Sequence, residues 1–567
     1  MSRQRTDWLL LFVISLSLRL AAAAFLPHPG YMDAAYSYDI ALNLTRGAGL
    51  SEPFLWNYLD DPTGLPHPSH LYWMPLPTIL ASLGMIAFGH TYRAAQVLFV
   101  VLSALLPLVS YWVALQVTHR RFYGWLAGLL TIFSGYYVLY WGHTDNFTPF
   151  ALAGSLSLIA AWQATRAGEE QGSRRAGEQG SKGAEGQGND RAWRRRAWAL
   201  AAGGLVGLAH LSRADAPLLL VAIIFSSVKH RGLSPGYSIA DRKSIIPSFD
   251  ICYLIFVISG YLLVMFPWFV RNWAVIGTPL SASGSQTLWL TTYDDLFSYG
   301  RKLSLDTYLA WGWGNILRSK MEALWLNTQT VIAVLGMVFL VPLVVIGGWR
   351  LRKHALYHRA AWYAGLLLVA MTFVFTFPGP RGGLFHSGGA LLPFIFTAAL
   401  VGLDASIDWA VTRRRAWDAN TAKRVFGVGL VALALLVSGF VYYRAVAQPT
   451  TSQTGYTGYS QLVDWLNDSG QLEQVIMVGD PPGYWYAGGG PSIMLPNEPV
   501  ETVLTVADRY GARYLILDHN RPEALASFYE RTVVHPRLSP VYEFDNELGT
   551  LVMVVQILPR IPVNETD

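Results

Sequence analysis

Two aspartates stand at the ends of apolar runs, where a carboxylate can do chemistry. Asp33 lies in Tyr31-Met32-Asp33-Ala34-Ala35-Tyr36-Ser37-Tyr38-Asp39-Ile40-Ala41, shortly after an apolar stretch that ends at Leu26. Asp145 lies in Trp141-Gly142-His143-Thr144-Asp145-Asn146-Phe147, between two further apolar stretches. A carboxylate in such a place can serve as general base or as metal ligand. The plainer reading is that each caps the helix that follows it, and two of them on one side of the apolar blocks weigh against it. Tyr36 and Asp39 fall at helical spacing from Asp33. Arg213, Arg271, Arg381 and His386 also stand at the ends of apolar runs. Cations so placed suit a phosphate or pyrophosphate whose lipid tail stays in a bilayer. The alternative is interfacial anchoring, for which Arg and Trp are common. His67 and His70, three apart, have the spacing to hold a metal together with a carboxylate, although loop histidines are usually just solvated.

The elements that must position these residues are membrane helices. Of the 567 residues, 52% are hydrophobic and 14% charged, against about 25% charged in soluble proteins. The apolar residues come in blocks, as membrane spans require. A span takes about 20 apolar residues, and eleven candidates stand at 8–26, 93–117, 122–141, 148–165, 198–211, 217–228, 251–270, 331–348, 360–377, 390–403 and 425–443. The first could pass for a signal peptide but lacks a convincing cleavage site before Pro27, so it is read as retained. The stretch 71–89, broken by Pro75, Pro77 and Gly84, is the awkward one. If it lies along the interface, every basic loop falls on one side, and with the N-terminal tail those loops hold about 25 of the 42 Lys and Arg residues. That bias marks the cytoplasmic side, so 71–89 is read as a juxtamembrane helix.

The expected architecture is therefore a polytopic α-helical membrane protein of about eleven spans plus one juxtamembrane helix, with a small C-terminal α/β domain. Residues 1–450 form the membrane domain, with a first outer loop at 27–92 and a disordered cytoplasmic loop at 166–196, low in complexity and rich in Gly, Glu, Gln, Lys and Arg. Residues 451–567 form the extracytoplasmic domain. There a helix pattern at 459–467 precedes a strand at 474–478, a turn at 479–483, a helix at 500–510 and strands at 513–517, 541–544 and 550–557. The N-terminus lies in the cytoplasm, and Asp33 and Asp145 lie on the opposite side. Whether 198–211 and 217–228 cross fully or form a re-entrant pair stays open, and the topology is the same either way. The lone Cys252 excludes a disulfide framework and a thiolate metal site. The basic residues form no stripe, which speaks against nucleic acid.

In this order and spacing the motifs resemble the GT-C superfamily of polytopic, lipid-phosphosugar-dependent glycosyltransferases, nearest the protein mannosyltransferase-like and aminoarabinose transferase-like branch. The resemblance runs from the first span to the tail. It rests on Asp33-Ala34-Ala35-Tyr36 through Ala41, Leu44 and Gly47-Ala48-Gly49-Leu50, then on Pro66-His67-Pro68-Ser69-His70-Leu71-Tyr72-Trp73 entering the juxtamembrane helix, Arg93 opening a span, and Asp145. Gly207-Leu208-Ala209-His210-Leu211-Ser212-Arg213-Ala214-Asp215 and Pro267-Trp268-Phe269-Val270-Arg271-Asn272-Trp273, with Gly277-Thr278-Pro279, complete it.

The resemblance implies an inverting transfer of a sugar from a polyprenyl-phosphate donor to a cell-envelope acceptor (glycan, lipid or protein) on the outer face. Asp33 would be the base, Asp145 would support the site or an ion, and Arg271 and Arg381 would meet the leaving phosphate, with Arg213 beside them. Tyr36, Asp39, His67, His70 and His386 are candidate substrate contacts. Many relatives carry a second acid directly after the first, and here Ala34 follows. No cofactor is assigned, and a divalent metal at Asp33 and Asp145 stays open. The Trp-Trp-Asp-type signature of oligosaccharyltransferases is missing. Two other classes compete: a lipid-linked saccharide transporter or flippase, which should carry internal repeats and mid-membrane charges, and a non-catalytic envelope assembly protein, which would not need Asp33. No repeat is found, and the charges gather at one face, Arg19 apart.

Overall fold

The computed structural model describes all residues except 1, 61, 178–183, 228, 231–246, 249, 376–380, 415–416, 448–450, 520, 547–548 and 561–567. Among the described residues six helical segments are long and apolar enough to cross a bilayer: Arg3–Ala24, Tyr92–Thr118, Phe147–Ala167, Ile251–Ile276, Gly383–Arg413 and Ala419–Ala447. A helix satisfies its own backbone polar groups, which is why apolar runs of this length take that form in lipid. The other five expected crossings fall on shorter, broken or partly polar helices.

The elements that build the site come first in the chain. They are α1 (Ser2–Ala24), α2 (Met32–Thr45), α3 (Leu76–Phe88), α4 (Tyr92–Ser103), α5 (Leu106–Thr118), α6 (Arg121–Ile132), α7 (Phe147–Gly177), α8 (Ala184–Ser212), α9 (Pro217–Phe225) and α10 (Ile251–Ile276). The expected juxtamembrane helix is α3. It begins later than the apolar run because Pro75 and Pro77 lack the N–H that a helix interior needs, and both sit at its first turn. Helices α7 and α8 extend into the 166–196 segment read as a loop, to Gly177 and from Ala184, and residues 178–183 lie outside the described ones. Its Ala, Glu, Gln and Arg residues favour helix as readily as coil.

Helix α2 is buried along Ala34–Ala41 on every face, as befits a helix clamped between two layers. Tyr31 precedes it in extended conformation, and Asp33 sits in its first turn rather than at the cap. A carboxylate there faces the positive end of the helix dipole. Helices α8 and α10 meet backbone to backbone. A Cβ at Gly260 would lie 2.0 Å from the Leu200 carbonyl oxygen, and one at Gly203 1.8 Å from that of Val257. Only glycine permits that approach, and it fixes where α8 ends, at Ser212, just before Arg213.

The short strands β1 (Ser51–Glu52), β2 (Phe54–Leu55) and β3 (His67–Pro68) lie in the first outer loop, and β4 (Lys229–His230) pairs with β5 (Pro247–Ser248). Strands β6 (Ile476–Val478), β7 (Ser492–Met494), β8 (Tyr514–Leu517), β9 (Leu538–Asp545) and β10 (Leu551–Ile557) follow in the C-terminal region. One six-stranded sheet has the order β2-β7-β6-β8-β10-β9. Strands β2, β7, β6 and β8 run parallel, whereas β10 is antiparallel to β8 and β9. The edge strand β2 comes from the first outer loop, more than 400 residues away in sequence, with Phe54 opposite Ser492 and Leu55 opposite Ile493. Tyr36, Phe54, Leu55 and Trp56 share one buried apolar core with Ile493, Leu504 and Leu515. The expected turn at 479–483 is partly helix, Pro481–Tyr486, because Asp480 caps it by accepting from the Gly483 N–H at 3.0 Å.

Candidate active site

A cavity of about 450 Å³ opens between the first outer loop, the loop before α7, the link from α8 to α9, the end of α10 and the segment 280–296. Asp33, His70, Asp145, Arg213, Arg381 and His386 all line it, so six residues from five separated stretches of sequence meet in one place. The loop carrying Asp145 is pinned to α2 where the Thr144 hydroxyl donates to the Ala34 carbonyl at 2.7 Å. That contact sets the two carboxylates side by side.

The two acids are held differently. Asp145 is buried and engaged: the Tyr31 hydroxyl donates to Oδ2 at 2.9 Å, and the Asn146 backbone and side-chain N–H groups donate to Oδ1 at 2.5 and 2.6 Å. Asp33 receives no side-chain hydrogen bond from the described residues and faces the cavity. Burial and then the Asp145 charge push the Asp33 carboxyl up to about 8, while Arg213 pulls the other way. Burial also raises Asp145, against the Asn146 and Tyr31 hydrogen bonds and Arg213.

On the far wall, Arg213 Nε donates to Asp215 Oδ1 at 3.3 Å, and the Ser387 hydroxyl donates to Asp215 Oδ2 at 2.7 Å. The Asn146 side-chain oxygen is 3.5 Å from Arg213 Nη1 and 3.0 Å from His386 Nδ1. The link 213–216, costly if it met lipid, instead folds against this polar wall. Arg381 is mostly exposed, 3.7 Å from Asp294, and lies over the Tyr293 ring. The opposite end is aromatic. Trp56 stacks on Trp73 at 3.8 Å, Tyr72 meets Trp56 edge-on, and the Trp268 ring approaches that of His70. Burial lowers the His70 imidazole to about 3. Its Nδ1 is 3.2 Å from the Trp73 carbonyl, so that nitrogen carries the proton and Nε2 keeps a lone pair with no partner among the described residues.

Four expected site residues do not line the cavity. Arg271 donates to the Leu50 and Ser69 carbonyls at 3.3 and 2.9 Å and to the Asn272 side chain, and it lies over Trp268. It braces the loop that carries His70. Tyr36 packs into the core beneath and accepts from the His70 backbone N–H at 2.8 Å. Asp39 is buried on the side toward the C-terminal sheet, where burial and then Asp480 raise its carboxyl well above the usual range. His67 forms a buried pair with Glu52, Nε2 to Oε1 at 2.7 Å. Burial would lower its imidazole, but the Glu52 charge outweighs that and raises it.

No protein-family model and no curated protein matches the chain in sequence. Solved structures match in shape. ArnT from Cupriavidus metallidurans in the apo state aligns over 97% of this chain and 98% of its own, at 12% identity and a TM-score of 0.53. The same protein bound to undecaprenyl phosphate aligns over the same shares at 13% identity and 0.50. This chain shares the fold of ArnT, and with six helices among the described residues long and apolar enough to cross a bilayer it is a multi-pass membrane protein. The archaeal oligosaccharyltransferase AglB from Archaeoglobus fulgidus, in complex with an inhibitory peptide and a dolichol-phosphate, aligns over 99% of this chain and 75% of its own at 13% identity and 0.49.

Within this scaffold, no three His, Cys, Asp or Glu side chains among the described residues come together as a metal site. Asp145 has both oxygens engaged by Tyr31 and Asn146, and Ala34 follows Asp33. Sequence reasoning missed Tyr31, Asn146, Asp215, Tyr293 and the Trp56–Trp73 stack. Tyr31 and Asp215 stood inside the motifs themselves, and their adjacency to Asp33 and Arg213 was the available signal. Asn146, next to Asp145, offered the same signal of adjacency, whereas Trp56 carries no charge and no spacing pattern that could have marked it.

Proposed function

We propose that the chain is an inverting glycosyltransferase that moves one sugar from a polyprenyl-phosphate donor to a cell-envelope acceptor on the outer face of the membrane. The observation that carries this reading is Asp33: a carboxylate that faces a cavity lined also by the Arg213 guanidinium, with apolar helices beneath. The undecaprenyl phosphate bound to the ArnT neighbour makes a polyprenyl phosphate the natural donor carrier.

In this reading Asp33 takes the proton of an acceptor hydroxyl as that oxygen attacks the anomeric carbon. The bond from that carbon to the lipid phosphate oxygen breaks, and the phosphate leaves with its electron pair. Arg213, fixed by Asp215 and Asn146, and Arg381, loosely held at the cavity mouth, offset the charge that develops on the phosphate. Attack and departure on opposite faces of the sugar invert the anomeric centre. Asp145 keeps Tyr31 and Asn146 in place and tunes Asp33 through its charge. Arg271 supports the loop and does not meet the phosphate.

The test is transfer of radiolabel from a panel of polyprenyl-phosphate sugars in membranes that carry wild type or Asp33→Asn. Wild type should transfer from one donor, and the variant should lose roughly 100-fold or more, the scale of a general base. Equal transfer by both would remove Asp33 from the mechanism, and no transfer from any donor would count against the reaction class.

A further inference from the structure

Behind the first cavity lies a second, of about 220 Å³, walled by the first outer loop, the segment 286–303 and Arg509 of the C-terminal region. The two share one partition. Along it Trp56, Thr287, Tyr293 and Leu296 face the first cavity, and their near neighbours Tyr58, Gln286, Asp295 and Ser298 face the second. The partition is rigid. Asp295 accepts from the Thr291 and Thr292 backbone N–H groups at 2.7 and 3.0 Å and from both threonine hydroxyls, and it pairs with Arg301. Its far side is held by the Tyr510 hydroxyl donating to the Pro62 carbonyl at 2.7 Å and by the Arg509 guanidinium over the Tyr299 and Tyr510 rings.

The lining of this second cavity is that of a sugar site. Tyr58 and Tyr299 offer ring surface for the apolar face of a pyranose. Ser298, 92% buried, lines it with a hydroxyl that no described residue engages, and the Gln286 amide is likewise without a hydrogen bond. Buried polar groups are normally satisfied, and a hydroxyl and an amide aimed into a monosaccharide-sized space present a donor and acceptor set for vicinal hydroxyls. Arg301 and Asp295 add a fixed fork of both signs beside them.

We propose that this second cavity is a saccharide-binding subsite that holds a sugar unit of the acceptor remote from the reacting hydroxyl. Its role as an acceptor subsite rests on the glycosyl-transfer reading above, but binding can be read without turnover.

The experiment is saturation-transfer-difference NMR on the full-length protein in detergent, with methyl glycosides of hexoses, pentoses and uronic acids as probes. At least one glycoside should give a signal in wild type that survives in Asp33→Asn. It should weaken about tenfold in Gln286→Ala/Ser298→Ala, the scale of two lost hydrogen bonds, and by less in Gln286→Ala alone. Gln286 is only half-buried, so the single variant keeps the test meaningful if the double variant melts early. The proposal is overturned if no glycoside binds, if both alanine variants bind like wild type, or if the signal disappears in Asp33→Asn. Failure of transfer with this binding intact would sink the enzymatic reading and leave the subsite standing.

Discussion

Asp33 is held in a state that opposes stability and serves chemistry. Its carboxyl, pushed up to about 8 by burial and by Asp145, binds a proton in the folded chain that the unfolded chain releases near pH 4. The folded state therefore binds more protons across that window, and the contribution to stability falls as pH rises from about 4 to 8. Replacing Asp33 by Asn removes this opposition, so the variant that loses activity should melt higher at pH 8, by roughly 2 °C or more, and show no gain at pH 4. A variant that melts lower at pH 8 would mean that Asp33 is a structural anchor. The same electrostatics govern rate. As a base Asp33 must be ionised, so kcat/KM should climb through an apparent value near 8, and Asp145→Asn, which removes the like charge, should move that limb to lower pH. A limb that stays in place would separate the two carboxylates. Both aspartates were legible because charge is rare in this chain and theirs stands at the edges of apolar runs. Tyr36 and Asp39, singled out by helical spacing from Asp33, and His67, by its spacing to His70, lie elsewhere, since spacing says which residues can share a face but not what covers it.

At the scale of elements, the site depends on how closely α8 and α10 approach. Arg213 follows the end of α8, and Trp268 and Asn272 ride on the last turns of α10, so the glycine contact between the helices sets the width of the cavity. Gly260→Ala drives a methyl into the Leu200 carbonyl and should cost about 1–3 kcal/mol as the helices part. Gly204→Ala, one turn away in α8, has its nearest outside neighbours at 3.7 Å and should be neutral or stabilising by a few tenths of a kcal/mol, since alanine favours helix. Thermal melts of the purified pair check this, and similar melting of both would contradict the packing argument. The helices themselves were written plainly in hydrophobic blocks, and so were the strands near 476, 514, 541 and 551. Strand β2 was not legible. Two residues of loop give no periodicity, and their pairing with Ser492 and Ile493 is decided by the apolar side chains of Tyr36, Phe54 and Trp56 closing on the distant sheet. The Asp480-capped helix was read as a turn because its prolines, placed at a first helical turn, look identical to prolines in a loop.

For the molecule as a whole, that one edge strand ties the C-terminal region to the outer loop between Asp33 and His70. The first outer loop and the sheet share a core, so they must lie on the same side of the membrane, and one topology measurement reports on both. Charge bias in the loops predicts that this side lies outside the cytoplasm. The lone Cys252, exposed at the start of α10, supplies a natural reporter for the opposite side, next to the Asp250–Arg195 pair. Glu523, exposed in the C-terminal region, supplies the other when changed to cysteine in a Cys252→Ser background. In intact cells a membrane-impermeant maleimide should label Glu523→Cys and spare Cys252, which should react only after the membrane is opened. The reverse pattern would invert the protein, turning Asp33 toward the cytoplasm and with it the face on which a lipid-linked sugar must be presented. Labelling of both in sealed cells would break the rule that loop charge fixes orientation here, and the parity of crossings between Cys252 and the sheet would have to change.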